Sequence, residues 1–275
     1  MSNTATHLRK VALATGRDDY IAVLNLSRPE VANALSAALI GELTAHLNLV
    51  AADQNCRALV LRGSGKHFSA GADLGWMKEA ASLDYDGNLR DSEQLIRLFE
   101  ALANLPFPSL ACVHGSAFGG AVGLAAACDV VLAVEGARFC LSEVKLGLIP
   151  AVILPYLVRK VAPGSLRYWS VTGRLISPSE ALAAGLVQRV VAPAELDQAL
   201  HEELNTLLQA APEAQSAVKT LLREVIASGA EQGPYTAAAI AKARVSASGR
   251  AGLAAFFTKS SPSWAIQLAP NWRLD

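Results

Sequence analysis

Two glycine-rich segments, each following an apolar run, contain backbone N–H groups that could face a negatively charged oxygen. They span residues 63–73 and 115–123. The first is not a phosphate-binding loop, because Val60 and His67 stand where GxxxxGK[ST] requires Gly and Ser or Thr. Neither has the GxGxxG spacing of a dinucleotide site or the GxSxG nucleophile elbow. Two turns that offer backbone N–H donors, without a side-chain nucleophile beside them, could stabilise an oxyanion that develops on a bound carbonyl group. The alternative is that these glycine-rich turns serve packing alone.

Glu143 is the candidate acid or base. It lies between two apolar stretches, residues 139–141 and 146–149, where burial would raise the pKa of its carboxyl and favour proton transfer. The alternative is a structural glutamate that caps a helix or pairs with Lys145 or Arg138. Three further residues could act as a base or a nucleophile but lie beside apolar runs or turns, which favours a structural role: His67, His114 and Cys140.

The elements that must position these residues alternate between strands and helices. Runs rich in β-branched and apolar residues predict strands, and apolar spacings of three and four residues predict helices. The predicted strands are 20–26, 57–62, 109–114, 129–134, 138–141 and 186–191, and the predicted helices are 35–50, 74–81 and 88–104. This alternation predicts an α/β fold with a parallel sheet. Alanine-rich helical segments from Pro193 onward divide the chain into a core domain, residues 1–192, and a helical C-terminal region, residues 193–275.

Composition excludes several classes of protein. The chain has 275 residues, 52% of them apolar, and its 24 basic and 24 acidic residues leave no net charge. Disorder, strong binding to nucleic acid and binding to an anionic membrane surface are therefore not expected. The four cysteines form no CxxC pair and no metal-ligand pattern with the five histidines, so we expect buried, reduced thiols and no metal. Since no apolar stretch reaches about 18 residues, we expect a soluble, cytoplasmic protein.

Four ordered motifs resemble those of the crotonase, or enoyl-CoA hydratase/isomerase, superfamily. They are Arg28-Pro29-Glu30 through Asn33-Ala34-Leu35, His67 through Leu74 (HFSAGADL), His114-Gly115 through Gly119-Gly120 to Cys128-Asp129, and Phe139 through Ser142-Glu143-Val144 to Gly147-Leu148-Ile149-Pro150. The resemblance extends over roughly residues 10–260. It implies a spiral of ββα turns with a helical C-terminal trimerisation region, and assembly as a homotrimer or as a homohexamer of two trimers.

The resemblance also implies the residues of an active site. The backbone N–H groups of Ala72 and Gly120 would form an oxyanion hole for a thioester enolate, and Glu143 would transfer protons. Substrate and coenzyme A would be bound by Ala32, Ala34, Ala70, Gly71, Asp73, Leu74, Gly119, Trp76, Met77, Phe256 and Lys259. Core packing remains an alternative for Trp76 and Met77, and a turn-closing hydrogen bond remains one for Asp73. Coenzyme A is part of the acyl-CoA substrate, and no separate cofactor is implied.

Position 123 bears on which reaction of the family is expected. Family hydratases carry a second glutamate six residues before the position of Asp129, where this chain has Gly123. The stretches 71–77 and 141–153 nevertheless resemble the bacterial branch that hydrates 3-methylglutaconyl-CoA in leucine breakdown and isohexenylglutaconyl-CoA in acyclic terpene breakdown. Hydration, a carbon–oxygen lyase reaction, is therefore the leading hypothesis. Glu143 would handle the protons and the substrate's own carboxylate would orient the water.

Three alternatives stay open. A Δ3,Δ2-enoyl-CoA isomerase needs only one glutamate to move a proton between two carbons. A dienoyl isomerase is disfavoured, since its additional acid would fall near Ala151. A non-catalytic member that binds coenzyme A or nucleic acid is favoured only by five basic residues on the C-terminal helices: Lys219, Arg223, Lys242, Arg244 and Arg250.

Overall fold

The computed structural model describes residues 5–13, 18–228, 233–269 and 272–273, which form two β-sheets and the helices that cover them. The strands are β1 (Thr6–Ala12), β2 (Tyr20–Leu26), β3 (Cys56–Gly63), β4 (Ser109–Val113), β5 (Ser116–Phe118), β6 (Val130–Val134), β7 (Arg138–Cys140), β8 (Leu175–Ile176) and β9 (Arg189–Val191). The helices are α1 (Ala37–Ala51), α2 (Leu74–Ala80), α3 (Tyr85–Ala103), α4 (Gly120–Ala127), α5 (Leu154–Leu157), α6 (Pro163–Thr172), α7 (Pro178–Ala183), α8 (Leu196–Leu208), α9 (Pro212–Ser228), α10 (Gly233–Val245) and α11 (Ala247–Thr258). The α/β class expected from the sequence is confirmed.

The larger sheet brings the carboxyl ends of its central strands to one edge. Its order is β1-β2-β3-β4-β6-β9, and every neighbouring pair is parallel except β1 with β2. Strands β2, β3 and β4 are buried over nearly their whole length, as expected for parallel strands covered on both faces. Both glycine-rich segments leave adjacent strands, β3 and β4, at this edge, where parallel sheets commonly bind ligands.

Helix α4 is buried on all sides, unlike the amphipathic helices of the fold. Its residues from Ala121 to Ala127 are small or apolar, and all are buried. A helix that is apolar all round belongs in the interior of a domain. By contrast, α1 is capped by Ser36 and buries one stripe, Leu39, Ile40, Leu43, Leu47 and Val50. Because α4 is fixed centrally, its first residue, Gly120, has a firmly set position.

The smaller sheet joins the second glycine-rich segment to the turn that carries Glu143. Its order is β5-β7-β8, with β5 parallel to β7 and β7 antiparallel to β8. The sequence predicts only a turn over residues 115–123, because the three residues of β5 are too few to show an alternating pattern. It also misses β1, whose exposed residues include Arg9 and Lys10, and β8, which has only two residues.

The C-terminal helices dock on the core through polar contacts. The Lys219 Nζ lies 2.6 Å from the Asp129 Oδ2 and 2.9 Å from the Phe107 carbonyl oxygen, and the Arg223 guanidinium hydrogen-bonds the Asn104 side chain. These two basic residues are therefore engaged within the chain. In the described part of the chain, α9 and α10 bury no residue, whereas α8 contributes to the same core as the sheets. The division at residue 193 stays a prediction.

The four cysteines are buried and form no disulfide bond. Burial raises the pKa of the Cys112 and Cys128 thiols to about 12, so both remain protonated near neutral pH. Across the described ranges, no helix is both long and apolar enough to cross a membrane.

Candidate active site

Asn33 holds the first glycine-rich segment against the loop that precedes α1. Its side chain is fully buried, and its Nδ2 donates to the carbonyl oxygens of Ser64 and His67, each at 2.8 Å. Its Oδ1 accepts the Arg28 N–H at 2.9 Å. Asn33 has a φ of 54°, in the left-handed region that asparagine tolerates better than most residues. Because the amide oxygen and both amide hydrogens are used, Asn33 fixes the geometry of this loop.

The first glycine-rich segment runs parallel to β5. Ser69 pairs with Ala117, and the Phe118 N–H donates to the Ser69 carbonyl oxygen at 3.2 Å. Ala72 and Gly120 each lie three residues beyond this pair. The register therefore brings the backbone of these two residues to the same level of the fold.

The N–H groups of Ala72 and Gly120 have no acceptor among the described residues. Leu35 pairs with both neighbours of Ala72, since its N–H donates to the Gly71 carbonyl at 2.7 Å and its carbonyl accepts the Asp73 N–H at 2.9 Å. The Ala72 N–H consequently points away from Leu35. Gly120 is the first residue of α4, where N–H groups lack intrahelical partners and the helix dipole favours negative charge. Such a pair of donors can bind one oxyanion.

Glu143 begins a short 3-10 turn, Glu143–Leu146, beside these donors. A Cβ on Gly119 would lie 3.2 Å from the Glu143 Oε1, so the carboxyl reaches the residue next to Gly120. The Oε2 of Glu143 is buried and has no hydrogen-bond partner among the described residues. Burial raises the pKa of this carboxyl above its usual value. A carboxyl in this environment can take a proton from a bound carbonyl compound and return it.

Other reactive side chains near the site make structural contacts. His67 and His114 each hydrogen-bond a backbone group of the two glycine-rich segments. The Cys140 thiol donates to the Gly173 carbonyl oxygen at 3.2 Å. In the described part of the chain, neither Lys145 nor Arg138 forms an ion pair with Glu143. Glu143 therefore remains the candidate acid or base.

The space that a side chain at position 123 would need is already filled. A Cβ on Gly123 would lie 2.3 Å from the Ile153 Cγ2 and 3.0 Å from the Phe99 Cε1, and both of these side chains are buried. The Phe99 ring also packs on Tyr156, with ring centroids 5.6 Å apart. The hydratases that the sequence resembles carry a second glutamate at this position. This chain has neither that glutamate nor the space for its side chain.

Introducing a glutamate at position 123 is expected to destabilise the protein. Gly123→Glu would displace Ile153 or Phe99, and such overpacking costs about 1–3 kcal/mol before the burial of a carboxylate is counted. Urea unfolding should show a lower midpoint for this variant than for the parent protein. Gly164→Glu is the control, because a Cβ there has no atom within 4 Å, and its midpoint should match the parent. Equal midpoints for the two variants would contradict the packing.

Asp73 caps α2 and connects it to Arg28. Its Oδ1 accepts the N–H groups of Gly75 at 2.8 Å and Trp76 at 3.4 Å, and its Oδ2 lies 3.0 Å from the Arg28 guanidinium. Burial alone would raise the pKa of Asp73, but these hydrogen bonds outweigh it and the pKa is lowered. The turn-closing hydrogen bond considered for Asp73 therefore forms at the junction of loop and helix.

Most of the other residues expected to bind the substrate line the same region. The Ala70 N–H donates to the Ala32 carbonyl at 2.9 Å, and Leu74 is 82% exposed on the first turn of α2. Trp76 and Met77 are half-buried on that helix, and Trp76 packs against the core. Three expected residues are buried within the chain: Ala34, Gly71 and Gly119.

Phe256 and Lys259 lie near the opposite end of the sheet. Ala251 and Ser263, on either side of them in sequence, line a cleft at the amino ends of β2, β3 and β4. The two N–H donors lie beyond the carboxyl ends of β3 and β4, and a seven-residue strand spans about 23 Å. The structure therefore does not bring Phe256 and Lys259 together with the rest of the predicted site within one chain.

Asn33 and Ile153 shape the site, but no local pattern in the sequence indicates this role. Asn33 lies inside a recognised motif, but its bonding partners, Ser64 and His67, are more than thirty residues away. Ile153 looks like any apolar residue before a helix, and its contact with Gly123 depends on tertiary packing. The one sequence signal for Ile153 is Gly123, because the absence of a side chain at position 123 leaves space that another side chain can fill.

The enoyl-CoA hydratase/isomerase family model matches residues 16–267. The chain belongs to the enoyl-CoA hydratase/isomerase family. Its substrates are accordingly acyl-CoA thioesters, and the protein is an enzyme of the enoyl-CoA hydratase type. The site described above lies within the matched residues.

Known relatives and structures agree with this assignment. A Thermus thermophilus protein named for enoyl-CoA hydratase activity is 39% identical over 248 residues, which are 88% of this chain and 96% of that protein. An enoyl-CoA hydratase structure from Shewanella pealeana has a TM-score of 0.87 at 37% identity, covering 94% of this chain and 95% of that one. Pseudomonas aeruginosa AtuE has a TM-score of 0.86 at 35% identity, covering 95% and 99%. The expected crotonase fold is confirmed.

Proposed function

We propose that this enzyme hydrates the 2,3 double bond of a 3-substituted glutaconyl-CoA, either 3-isohexenylglutaconyl-CoA or 3-methylglutaconyl-CoA. The observation that carries the proposal is the half-buried Glu143, whose buried Oε2 is unpartnered among the described residues, beside the N–H groups of Ala72 and Gly120, which are likewise unpaired among those residues. These groups match the two needs of the reaction, proton transfer and stabilisation of an enolate. The proposed setting is cytoplasmic leucine or acyclic terpene catabolism.

The addition of water follows from these positions. The Glu143 carboxylate takes one proton from a water molecule while the water oxygen forms a bond to C3. The electron pair of the double bond moves onto the thioester as an enolate, whose oxygen accepts hydrogen bonds from Ala72 and Gly120. Glu143 then gives the proton to C2, so that H and OH are added in total. Each backbone donor contributes about 2.7–4 kcal/mol to such a transition state.

The substrate's second carboxylate supplies what the chain lacks at position 123. Since Ile153 and Phe99 fill the space beside Gly123, no second protein carboxylate can orient the water from there. A glutaconyl ester carries a carboxylate near C3 that can accept a hydrogen bond from the attacking water. The likeness of stretches 71–77 and 141–153 to the glutaconyl-CoA branch supports this substrate class.

Removal of the distal carboxylate is expected to lower hydration strongly. 3-Methylcrotonyl-CoA is the matched ester, because it keeps the C3 methyl group of 3-methylglutaconyl-CoA and lacks its carboxylate. We expect kcat/KM to fall about 100-fold or more, as when a site loses a hydrogen-bonding group of its substrate. The loss of ultraviolet absorbance of the conjugated thioester measures both rates, and the isohexenyl ester belongs in the same panel. Equal rates for the two matched esters would contradict this use of the carboxylate.

A Δ3,Δ2-enoyl-CoA isomerase is the second candidate. The absence of room for a side chain at Gly123 favours it, because one carboxylate, Glu143, suffices to take a proton from C2 and return it to C4. The same two N–H donors would stabilise the dienolate. The two reactions differ in whether water enters the product.

We further propose assembly as a homotrimer or as a homohexamer of two trimers. The outer faces of α9, α10 and α11 expose large apolar side chains: Val218, Leu222, Ile226, Ile240, Val245, Leu253, Phe256 and Phe257. Surfaces of this kind are typical of subunit interfaces. Because Phe256 and Lys259 lie at the opposite end of their own sheet, a contact with coenzyme A would be made in the site of a neighbouring subunit.

A further inference from the structure

The backbone sets the position of the Glu143 carboxyl, because no other side chain of the described residues hydrogen-bonds it. Its Oε2 has no hydrogen-bond partner among the described residues. Family acid–base chemistry needs a carboxyl held within a fraction of an ångström of the substrate carbon. The position of the carboxyl therefore depends on what fixes the turn Glu143–Leu146.

Cys140 makes two contacts that link this turn to the oxyanion donors. Its carbonyl oxygen accepts the Gly119 N–H at 2.8 Å, directly before the donor Gly120. Its thiol donates to the Gly173 carbonyl oxygen at 3.2 Å. Cys140 is 4% exposed and lies three residues before Glu143 on the same chain segment. One residue thus connects the segment that carries the acid, the segment that carries a donor, and the end of α6.

Gly173 supports the Glu143 turn from the other side. It ends α6 with a φ of 57°, and a Cβ there would lie 3.2 Å from both the Leu141 carbonyl oxygen and the Val144 Cγ2. Leu141 and Val144 lie on either side of Glu143 in sequence. The hydrogen bond from the Cys140 thiol to the Gly173 carbonyl oxygen ties the end of α6 to this turn. Loss of the bond frees α6 to shift against the turn.

We propose that Cys140 is a positioning residue for catalysis, which through Gly173 and Gly119 sets the distance between the Glu143 carboxyl and the Gly120 N–H. It does not touch the substrate. The inference rests on the acid–base role of Glu143 in the proposed function. It is independent of which double bond or which acyl group the enzyme acts on.

Deuterium exchange at C2 of butyryl-CoA in D2O, followed by NMR, tests this role. In this reaction the Glu143 carboxylate takes the C2 proton and the thioester becomes an enolate. The proton on Glu143 then exchanges with D2O, and Glu143 returns a deuteron to C2. We expect Cys140→Ala to lower kcat for exchange about tenfold with KM changed less than twofold. Cys140→Ser keeps a donor to Gly173 and should recover most of the rate.

Cys112→Ala is the matched control. Cys112 is also a buried thiol, 1% exposed, but it lies within β4 away from the Glu143 turn. Its replacement should cost comparable stability and leave kcat unchanged. The pH profile separates the roles further, since Cys140→Ala should shift the acid limb of exchange and Cys112→Ala should not. Similar kcat values and pH profiles for the two alanine variants would overturn the proposal.

Three further outcomes are decisive. If Cys140→Ala does not fold, Gly173→Ala, which crowds the same contact, is compared with Gly136→Ala, where φ is +81° and a Cβ has no atom within 4 Å. An equal kcat for these two glycine variants would overturn the proposal. Exchange without hydration of any glutaconyl ester would contradict the proposed function and leave the role of Cys140 standing. Absence of exchange in the parent enzyme would overturn the proposed role of Cys140.

Discussion

Replacing Glu143 with glutamine is expected to lower kcat by about 10³-fold. Glutamine has nearly the same size but cannot take or give the proton, and general acid–base groups contribute 10²–10⁴-fold. Substrate binding depends on the backbone donors and on contacts with coenzyme A, so KM should change little. Steady-state kinetics with the preferred glutaconyl ester measures both constants. Glu135→Gln is the control, because this glutamate is exposed in the turn between β6 and β7.

The same replacement should make the protein more stable at high pH. The pKa of Glu143 is raised in the folded state, so the protonated form favours folding. That contribution is complete below the unfolded pKa near 4.5 and is lost as the pH rises through the folded pKa. Glu143→Gln stays neutral, so its free energy of unfolding should exceed the parent's at pH 8 and equal it near pH 4.

Unchanged turnover in Glu143→Gln would contradict the assignment of Glu143 as the acid or base. A loss of turnover accompanied by lower stability at pH 8 would instead indicate that the variant disturbs the fold. The parent's own activity should also fall on the acid side at a pH above that of an ordinary glutamate, since the carboxylate form must start the reaction.

Gly71→Ala should have the second largest effect, by separating the two oxyanion donors. Gly71 has a φ of 89°, and a Cβ there would lie 2.6 Å from the Phe118 carbonyl oxygen. To relieve this overlap, the segment that carries Ala72 must move away from the segment that carries Gly120. Losing one donor of an oxyanion hole costs 10²–10³-fold in kcat, so we expect a loss of about 10²-fold.

Gly136→Ala separates this effect from backbone strain. Gly136 has a similar φ of 81°, yet a Cβ there meets no atom within 4 Å. Both variants should lose stability of the order of 1 kcal/mol from strain, measured by urea unfolding, while only Gly71→Ala loses kcat. Equal kcat values for the two variants would contradict the pairing of Ala72 and Gly120 in one oxyanion hole.

Local pattern predicts the elements of this fold well where apolar runs are long and bounded. Strand 20–26 coincides with β2, because this mainly apolar run is bounded by Arg28-Pro29. Helix α3 begins three residues before its predicted start at 88, since the Asp84 side chain caps it by accepting the Gly87 N–H. A cap of this kind is visible in the sequence only once the helix is known to begin there.

The candidate site is predicted in its residues but not in its geometry. The resemblance of the motifs predicts Ala72, Gly120 and Glu143 as site residues. The alignment of the two N–H donors depends on the pairing of Ser69 with Ala117, which no local sequence pattern predicts. The placement of Phe256 and Lys259 likewise depends on how α11 docks. Their distance from the donors could not be read from a sequence in which only their types are visible.

The most direct test of the central claim is turnover of 3-methylglutaconyl-CoA in water enriched in ¹⁸O. We expect a product that carries one labelled hydroxyl group on C3 and a new hydrogen on C2. We also expect Glu143→Gln to form this product about 10³-fold more slowly. A product whose double bond has moved without uptake of label would contradict hydration and identify an isomerase.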